Sequence, residues 1–542
     1  MKKSIYTLLF LVLLTLPSFS QVNLNFEITL EKSPSSMAPA IHSYSYAVTS
    51  DGKWLILGGR MNGMHNFNIG DGASFPQAYE NPLISVYDPV KDSVWNIRSA
   101  QYFPIEIADQ MRATNQQFIQ KGNYLYVLGG YGTFSHTMKS DSLNTFNRAL
   151  VFSVDEFAEA VINQTDPSEY LLYGKSDLVK VTGGELFYFD DHFHLVGGQN
   201  FEGTYFYDPN EGIENYTDAI RIFDIDLKNS EDVVVTKVDE IINPSLLHRR
   251  DFNVIEEIGP NEEEQLALYS GVFQPGKLLS WPHPVYYRNN QLIHDEDYTQ
   301  IYNVYNCPRI PIYDSENKEM TTVLFGGITY ARYNPGGEPI IDSCEVGGYN
   351  NPCLPFSNYI LAIQKNSEGK TSDTIFMRFT DNQKLGTNAL FIPQKNIPKY
   401  KNGVLDLDKI NEKTFIGYIY GGMDATLDSA YNVTYASKQV FKVYLKKKSD
   451  DLIYEIQTEL YMDQPWPNPA AIDLNFRLPY SESDKDFVIT LYSPSGQKVM
   501  HKIFNSLENE VAVNIQKLPP GVYIYTVRQG SKTTEGKVAI LH

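Results

Sequence analysis

A short apolar run that ends in two adjacent glycines recurs along the chain, and no other feature restricts the possible folds as much. It occurs as Trp54-Leu55-Ile56-Leu57-Gly58-Gly59, Leu125-Tyr126-Val127-Leu128-Gly129-Gly130, Phe193-His194-Leu195-Val196-Gly197-Gly198, Thr322-Val323-Leu324-Phe325-Gly326-Gly327 and Tyr418-Ile419-Tyr420-Gly421-Gly422. A degenerate copy, Leu266-Ala267-Leu268-Tyr269-Ser270-Gly271, falls between the third and fourth and makes six. Recurrence on this scale means one supersecondary unit used repeatedly. An apolar run of this length bounded by glycine reads as a buried strand. The glycine pair lets the backbone turn sharply and lets a neighbouring unit approach where a Cβ would collide.

The flanks complete the unit. A strand candidate precedes each pair, and a variable loop and two further strands follow it, for example Leu83 to Asp88 with Ser93 to Arg98, and Asn358 to Ile363 with Thr374 to Phe379. Abundant Tyr and Phe, 38 and 29 residues, fit many short strands. These motifs resemble the kelch repeat, in which a double glycine ends the second strand of each four-stranded blade, over roughly Gln21 to Leu460. The resemblance implies an all-β, six-bladed kelch-type propeller over 21–460. Such a ring has to cover its last edge; Val22 to Leu30 and Leu452 to Leu460 compete for that place, and the N-terminal strand is the expected one. The copies are unevenly spaced, so long loops should crowd one face, where binding chemistry usually sits. The longest, Ile328 to Ser357, carries Arg332 and the cysteines Cys344 and Cys353, which could close a local disulfide in an oxidising compartment.

Both ends read as address labels. Lys2 and Lys3, the apolar run Leu8 to Leu16 and the small residues before Gln21 form a secretory signal over 1–20 with cleavage between Ser20 and Gln21. No later apolar stretch is long enough to span a bilayer. After a Pro-rich linker, residues 461–542 hold about seven short strand candidates, which suits a small Ig-like β-sandwich. Their motifs are Pro467-Asn468-Pro469, the Val488 to Val499 segment with its Ser493 to Gly496 turn, and Gly521-Val522-Tyr523-Ile524-Tyr525. This stretch resembles the C-terminal sorting domain of the type IX (Por) secretion system of Bacteroidota. That implies passage through the periplasm, export by the type IX machinery and removal of the domain. An ordinary fibronectin-like module would use the same turn devices.

Chemistry is harder to locate. A formal charge of −20 argues against nucleic acid, whose phosphates need a basic face. His192 and His194 share a strand face, but His194 aligns with core positions of the other copies. Asp406, Asp408, Asn411 and Glu412 lack the glycine a calcium loop needs. No metal, cofactor or nucleophile motif assembles, and a monomer without catalytic residues is expected. Arg112, Arg250 and Arg309, with His42 in the comparable place of the first unit, each open the segment expected to become an innermost strand, and with Arg332 they are the candidate ligand-binding residues. Guanidinium groups fork onto carboxylates, so an acidic sugar or a peptide carboxylate is conceivable; the alternative is arginine bridging neighbouring blades through backbone carbonyls. The leading function is a glycan- or protein-binding module, with a sialic-acid mutarotase-like epimerase and a structural adhesin as competing readings.

Overall fold

The computed structural model describes residues 24–65, 74–135, 143–204, 212–228, 232–277, 279–333, 339–340, 343–346, 349–352, 356–379, 384–425, 433–448, 462, 464–478, 486–493, 496–505, 510–530 and 532–541. The protein is all-β. Two compact units separate, one spanning Leu24–Lys448 and one containing the described residues after Ser449.

The larger unit contains six antiparallel meanders. In chain order their first strands are Ser45–Val48, Gln117–Lys121, Glu185–Phe189, Asn253–Ile258, Arg309–Asp314 and Ala389–Pro393. The second strands are Trp54–Leu57, Tyr124–Leu128, His192–Val196, Glu264–Tyr269, Glu319–Phe325 and Thr414–Gly421, and each runs into one of the glycine motifs. Two more strands complete each sheet, including Leu83–Asp88 with Ser93–Arg98 in the first and Tyr359–Lys365 with Thr371–Arg378 in the fifth. In the sixth the outermost strand is Phe26–Ser33, paired antiparallel with Val440–Lys447 from Phe26 opposite Lys447 to Ser33 opposite Val440. The first and last parts of the unit thus share one sheet. Phe26 and Ile28 face inward while Glu27 and Thr29 face out, the alternation that a half-covered strand requires. Leu452 to Leu460, the other candidate for this edge, lies outside the described residues.

The glycine pairs sit where successive sheets meet. All ten glycines of the five pairs have φ between +57° and +101°, and Ser270 takes the same left-handed backbone at φ +64° in the degenerate copy. A Cβ on the first glycine would run into a backbone carbonyl of the next sheet: Ala113 for Gly58, Val181 for Gly129, Arg249 for Gly197, Leu385 for Gly326 and Ile41 for Gly421. The N–H of the second glycine donates to that same carbonyl, from Gly59, Gly130, Gly198, Gly327 and Gly422 at 2.8–3.3 Å. At the fourth junction the buried Gln300 side chain accepts from the Ser270 N–H instead, at 2.9 Å, and Gly271 makes no such bond. The Gly422–Ile41 bond leads from the sixth sheet back to the first.

Apolar clusters fill the spaces between successive sheets. Leu55, Leu57, Val86, Leu125, Leu150 and Phe157 pack between the first and second, and Trp54 meets Tyr87, Tyr418 and Tyr420 between the first and sixth. Burying one such side chain contributes roughly 1.5–3 kcal/mol. Two helices not foreseen from the strand pattern, Ile105–Met111 and Val154–Asn163, add Ile107, Phe157 and Val161 to the first of these clusters.

In the C-terminal unit, Asp473–Arg477 pairs with Glu510–Asn514, and Phe487–Tyr492, Lys498–Phe504, Gly521–Gln529 and Lys532–Ile540 form a four-stranded sheet. Both sheets contribute to one core through Leu474, Phe476, Ile489, Leu491, Val513 and Tyr525. Asn468, between Pro467 and Pro469, accepts from the Ala539 N–H at 2.9 Å and so holds the opening motif against the last strand. Gly496 sits at φ +82° in the turn after Ser493, Gly521 begins its strand, and the buried Tyr523 donates to the Pro519 carbonyl at 2.7 Å.

Candidate functional site

Just before each first strand one residue turns the chain inward, and these six residues are bonded to one another. The Asn115 N–H donates to Ser43 O, Gly183 to Asn115, Asp251 to Gly183, Asn306 to Asp251, Asn388 to Asn306 and Ser43 to Asn388, at 2.9–3.3 Å. The result is a closed ring of backbone hydrogen bonds, one member from each sheet. Ser43, Asn115, Gly183, Asp251 and Asn388 all have φ between +50° and +68°. The polar and small types found there, Ser, Asn, Gly and Asp, are those that enter the left-handed region with least strain.

Beside this ring lies a second layer. The preceding residues His42, Thr114, Thr182, Arg250, Tyr305 and Thr387 pair through their backbones with the residues that follow the glycine motifs, Arg60, Tyr131, Gln199, Val272, Ile328 and Met423. These positions enclose a cavity of about 130 Å³ on the side that carries the loops after the glycines. On the other side the first strands of all six sheets line a cavity of about 830 Å³. The ring residues Ser43, Asn115, Gly183, Asp251 and Asn388 border both.

The smaller cavity is polar on one side and apolar on the other. Arg60 is 2% exposed; its Nε donates to Asn62 Oδ1 and one terminal nitrogen to Pro76 O, both at 3.1 Å, with the Phe75 ring 5.1 Å away. It has no carboxylate within ion-pair distance among the described residues, and burial draws its pKa down to about 10. His42 is buried beside it. Loss of water, reinforced by the Arg60 charge, holds its pKa at about 3, so the imidazole is neutral. Its Nδ1 meets Ser43 Oγ at 3.0 Å, and its Nε2 has no hydrogen-bond partner among the described residues. Gln199 Oε1 and Thr387 Oγ1 are likewise buried without partners. Arg250, by contrast, is engaged by Asp251, by Glu214 at 3.4 Å and by the Tyr216 hydroxyl at 3.1 Å. Met64, Phe273, Ile328 and Met423 supply the apolar side, with Val272 packed in the same cluster.

The structure does not bring the three sequence-selected arginines together. Only Arg250 and His42 occupy equivalent positions. Arg309 lies three residues beyond the ring residue Asn306 and opens onto the larger cavity, where it pairs with Glu185 at 2.7 Å. Arg112 lies three residues before the ring residue Asn115, borders neither cavity, and is held between Asp109 and Glu80 while donating to Ser135 Oγ at 3.0 Å. The helix Ile105–Met111, inserted immediately ahead of it, displaces the apparent alignment. Bridging through carbonyls belongs instead to Arg249, fully buried and donating to Leu246, Ser270 and His283 oxygens at 2.8–3.0 Å. Arg332 pairs by backbone with Tyr302, but its side chain, that of Cys344 and all of Cys353 lie outside the described residues, as do Ser20 and Gln21. Arg60 was missed; the available signal was a cation directly after a glycine pair.

Other sequence candidates have structural partners. His194 is buried against Phe189 and Tyr287, and His192 pairs with Asp224 at 2.8 Å. Asp408 joins Asp314 and Glu316 around the Lys447 ammonium, which reaches Asp408 at 2.7 Å and Glu316 at 2.6 Å.

Comparison with known proteins decides the C-terminal unit. Residues 464–541 match the secretion system C-terminal sorting domain. The protein is therefore exported by type IX secretion, to the cell surface or into the surroundings, and the domain implies an origin in Bacteroidota. Among the described residues no helix is long and apolar enough to cross a membrane. No curated protein matches the chain. Among solved structures, a fungal alcohol oxidase of the AA5 family in complex with copper aligns over 94% of this chain and 99% of its own, at 8% identity and a TM-score of 0.37. That likeness is too loose to carry a fold or an activity across.

Proposed function

We propose that residues 24–448 form a six-bladed, kelch-type β-propeller that, after export, works as a recognition module and holds a carboxylate-bearing ligand, an acidic sugar or a peptide carboxylate, beside Arg60. The closed ring of six backbone bonds, the repeated glycine junctions and the N-terminal strand in the last sheet support the propeller reading. The leader over 1–20 and a sorting domain over 461–542 belong to the same proposal.

One observation carries the ligand reading: a buried guanidinium with no carboxylate at ion-pair distance among the described residues opens on a cavity that also presents atoms of His42, Gln199 and Thr387 without hydrogen-bond partners among those residues. Glu80 acts on the Arg60 charge only from beyond ion-pair distance, so a carboxylate in the cavity would add the charge-assisted hydrogen bonds that Glu80 does not make. The volume of about 130 Å³ suits a carboxylate and its nearest atoms rather than a whole ligand. The test is calorimetric titration with N-acetylneuraminate and glucuronate. Arg60→Met should abolish any heat of binding while the protein stays folded, and unchanged affinity in that variant would refute the assignment. Export is tested separately, because a chain lacking residues 464–541 should accumulate in the periplasm.

A further inference from the structure

The larger cavity has a different chemistry, in which aromatic rings and hydrogen-bonding groups share the wall. On the first strands of the first, second and sixth sheets, Tyr46, Phe118 and Phe391 present half-buried aromatic side chains to it. Tyr46 and Phe118 lie edge to face with centroids 5.4 Å apart, and the Tyr46 hydroxyl is already used, donating to the Phe391 carbonyl at 3.1 Å. What these side chains offer the cavity is therefore ring surface. The second sheet adds Gln117 and Gln120, and the third, fourth and fifth add Glu185, Glu256 and Arg309 beside the apolar Phe187 and Val254. Glu185 accepts from Arg309 at 2.7 Å and from the Asn306 amide, so this charge pair is satisfied within itself. Glu256, one strand along, makes no hydrogen bond among the described residues.

We propose that this second cavity binds a neutral oligosaccharide, with a sugar ring lying on Phe118 and the adjoining aromatic wall and its hydroxyls read by Glu256 and the Glu185–Arg309 pair. A pyranose has an apolar C–H face and a polar rim, which matches a lining that sets aromatic rings beside hydrogen-bonding groups. Charge separates this cavity from the one beside Arg60. Arg309 is cancelled by Glu185, and burial, with Glu264 adding repulsion against a weaker pull from Lys399, raises the Glu256 carboxyl to about 8, so that it offers an O–H as well as an acceptor near neutral pH. A volume of about 830 Å³ lies within the range of small-molecule sites, about 300–1,000 Å³. The proposal does not depend on the carboxylate reading, since the two cavities lie on opposite sides of the backbone ring.

Calorimetric titration of the full chain with cellotetraose, maltotetraose and mannotetraose tests it. At least one should bind more tightly than about 5 mM, and Phe118→Ala and Glu256→Ala should each weaken that binding about tenfold or more. Glu256→Gln, which keeps a neutral donor and acceptor, should stay within about threefold of the parent. Arg60→Met should leave the tetrasaccharide affinity unchanged while removing the response to N-acetylneuraminate. Should Phe118→Ala melt early, the Ala and Gln variants at Glu256 carry the test alone. Absence of binding by all three sugars, equal loss in both Glu256 variants, or loss of tetrasaccharide binding in Arg60→Met would overturn the proposal.

Discussion

Gly421→Ala perturbs the junction where the sixth sheet meets the first, and its cost can be built up from the structure. The residue sits at φ +73°, where a side chain costs about 1–2 kcal/mol of backbone strain. The added Cβ would fall 2.7 Å from the Ile41 carbonyl oxygen and 2.9 Å from Tyr44 Cε1, in a region where neither neighbour is free to withdraw. Relieving that overlap costs about 1–3 kcal/mol by analogy with overpacked cores. Moving the Ile41 carbonyl also weakens its bond from the Gly422 N–H, now 2.9 Å, for about 1 kcal/mol more. The sum is about 3–6 kcal/mol. Gly52 is the matched control: its φ is +87°, and a Cβ there meets nothing within 4 Å. Gly52→Ala should therefore cost only the backbone share, about 1–2 kcal/mol. Urea unfolding of both variants against the parent, followed by tyrosine and tryptophan fluorescence, reads the difference. Equal destabilisation of the two, within about 0.5 kcal/mol, would refute a junction built on close approach between sheets.

Glu256 should make the protein less stable as pH rises. Its folded pKa of about 8 exceeds the usual 4.5, so the native state retains a proton between those values that the unfolded chain has released, and stability falls across that window. Glu256→Gln should match the parent's melting temperature near pH 4.5 and exceed it at pH 9; parallel pH profiles would remove the argument. Lys447→Met should leave Asp314, Glu316 and Asp408 facing one another uncompensated and cost about 2 kcal/mol or more at pH 7 in thermal melting. The deficit should shrink when Asp408 is replaced by Asn as well, and a deficit unchanged in that double variant would point to lost packing instead.

Much of the architecture was legible because it depends on residue types with few substitutes. A glycine at a position where φ is positive and a neighbouring carbonyl lies against it leaves a visible mark, and five such pairs appear in the sequence; Ser270 shows that the mark can fade where Gln300 supplies a side-chain bond instead. Strands such as Leu83–Asp88 and Ser93–Arg98 are bounded by polar turns and were readable for the same reason. The site was less legible. Its geometry is set by the inward-turning residues Ser43, Asn115, Gly183, Asp251, Asn306 and Asn388, which share a backbone hydrogen-bond pattern but no single side chain, so no motif marks them. Alignment on arginines consequently slipped by different amounts at Arg112 and Arg309. Charge alone also could not distinguish Arg250, occupied by Asp251 and Glu214, from Arg60, which makes no ion pair among the described residues.

The account rests on six sheets joined in one ring, and the amides of Ser43, Asn115, Gly183, Asp251, Asn306 and Asn388 report on that directly. Residue-resolved hydrogen–deuterium exchange of the native protein should find all six protected like the core strands, for example Trp54–Leu57, although each lies between strands rather than within one. Exchange of these amides at the rate of open loops, or protection of only some of them, would contradict a closed ring.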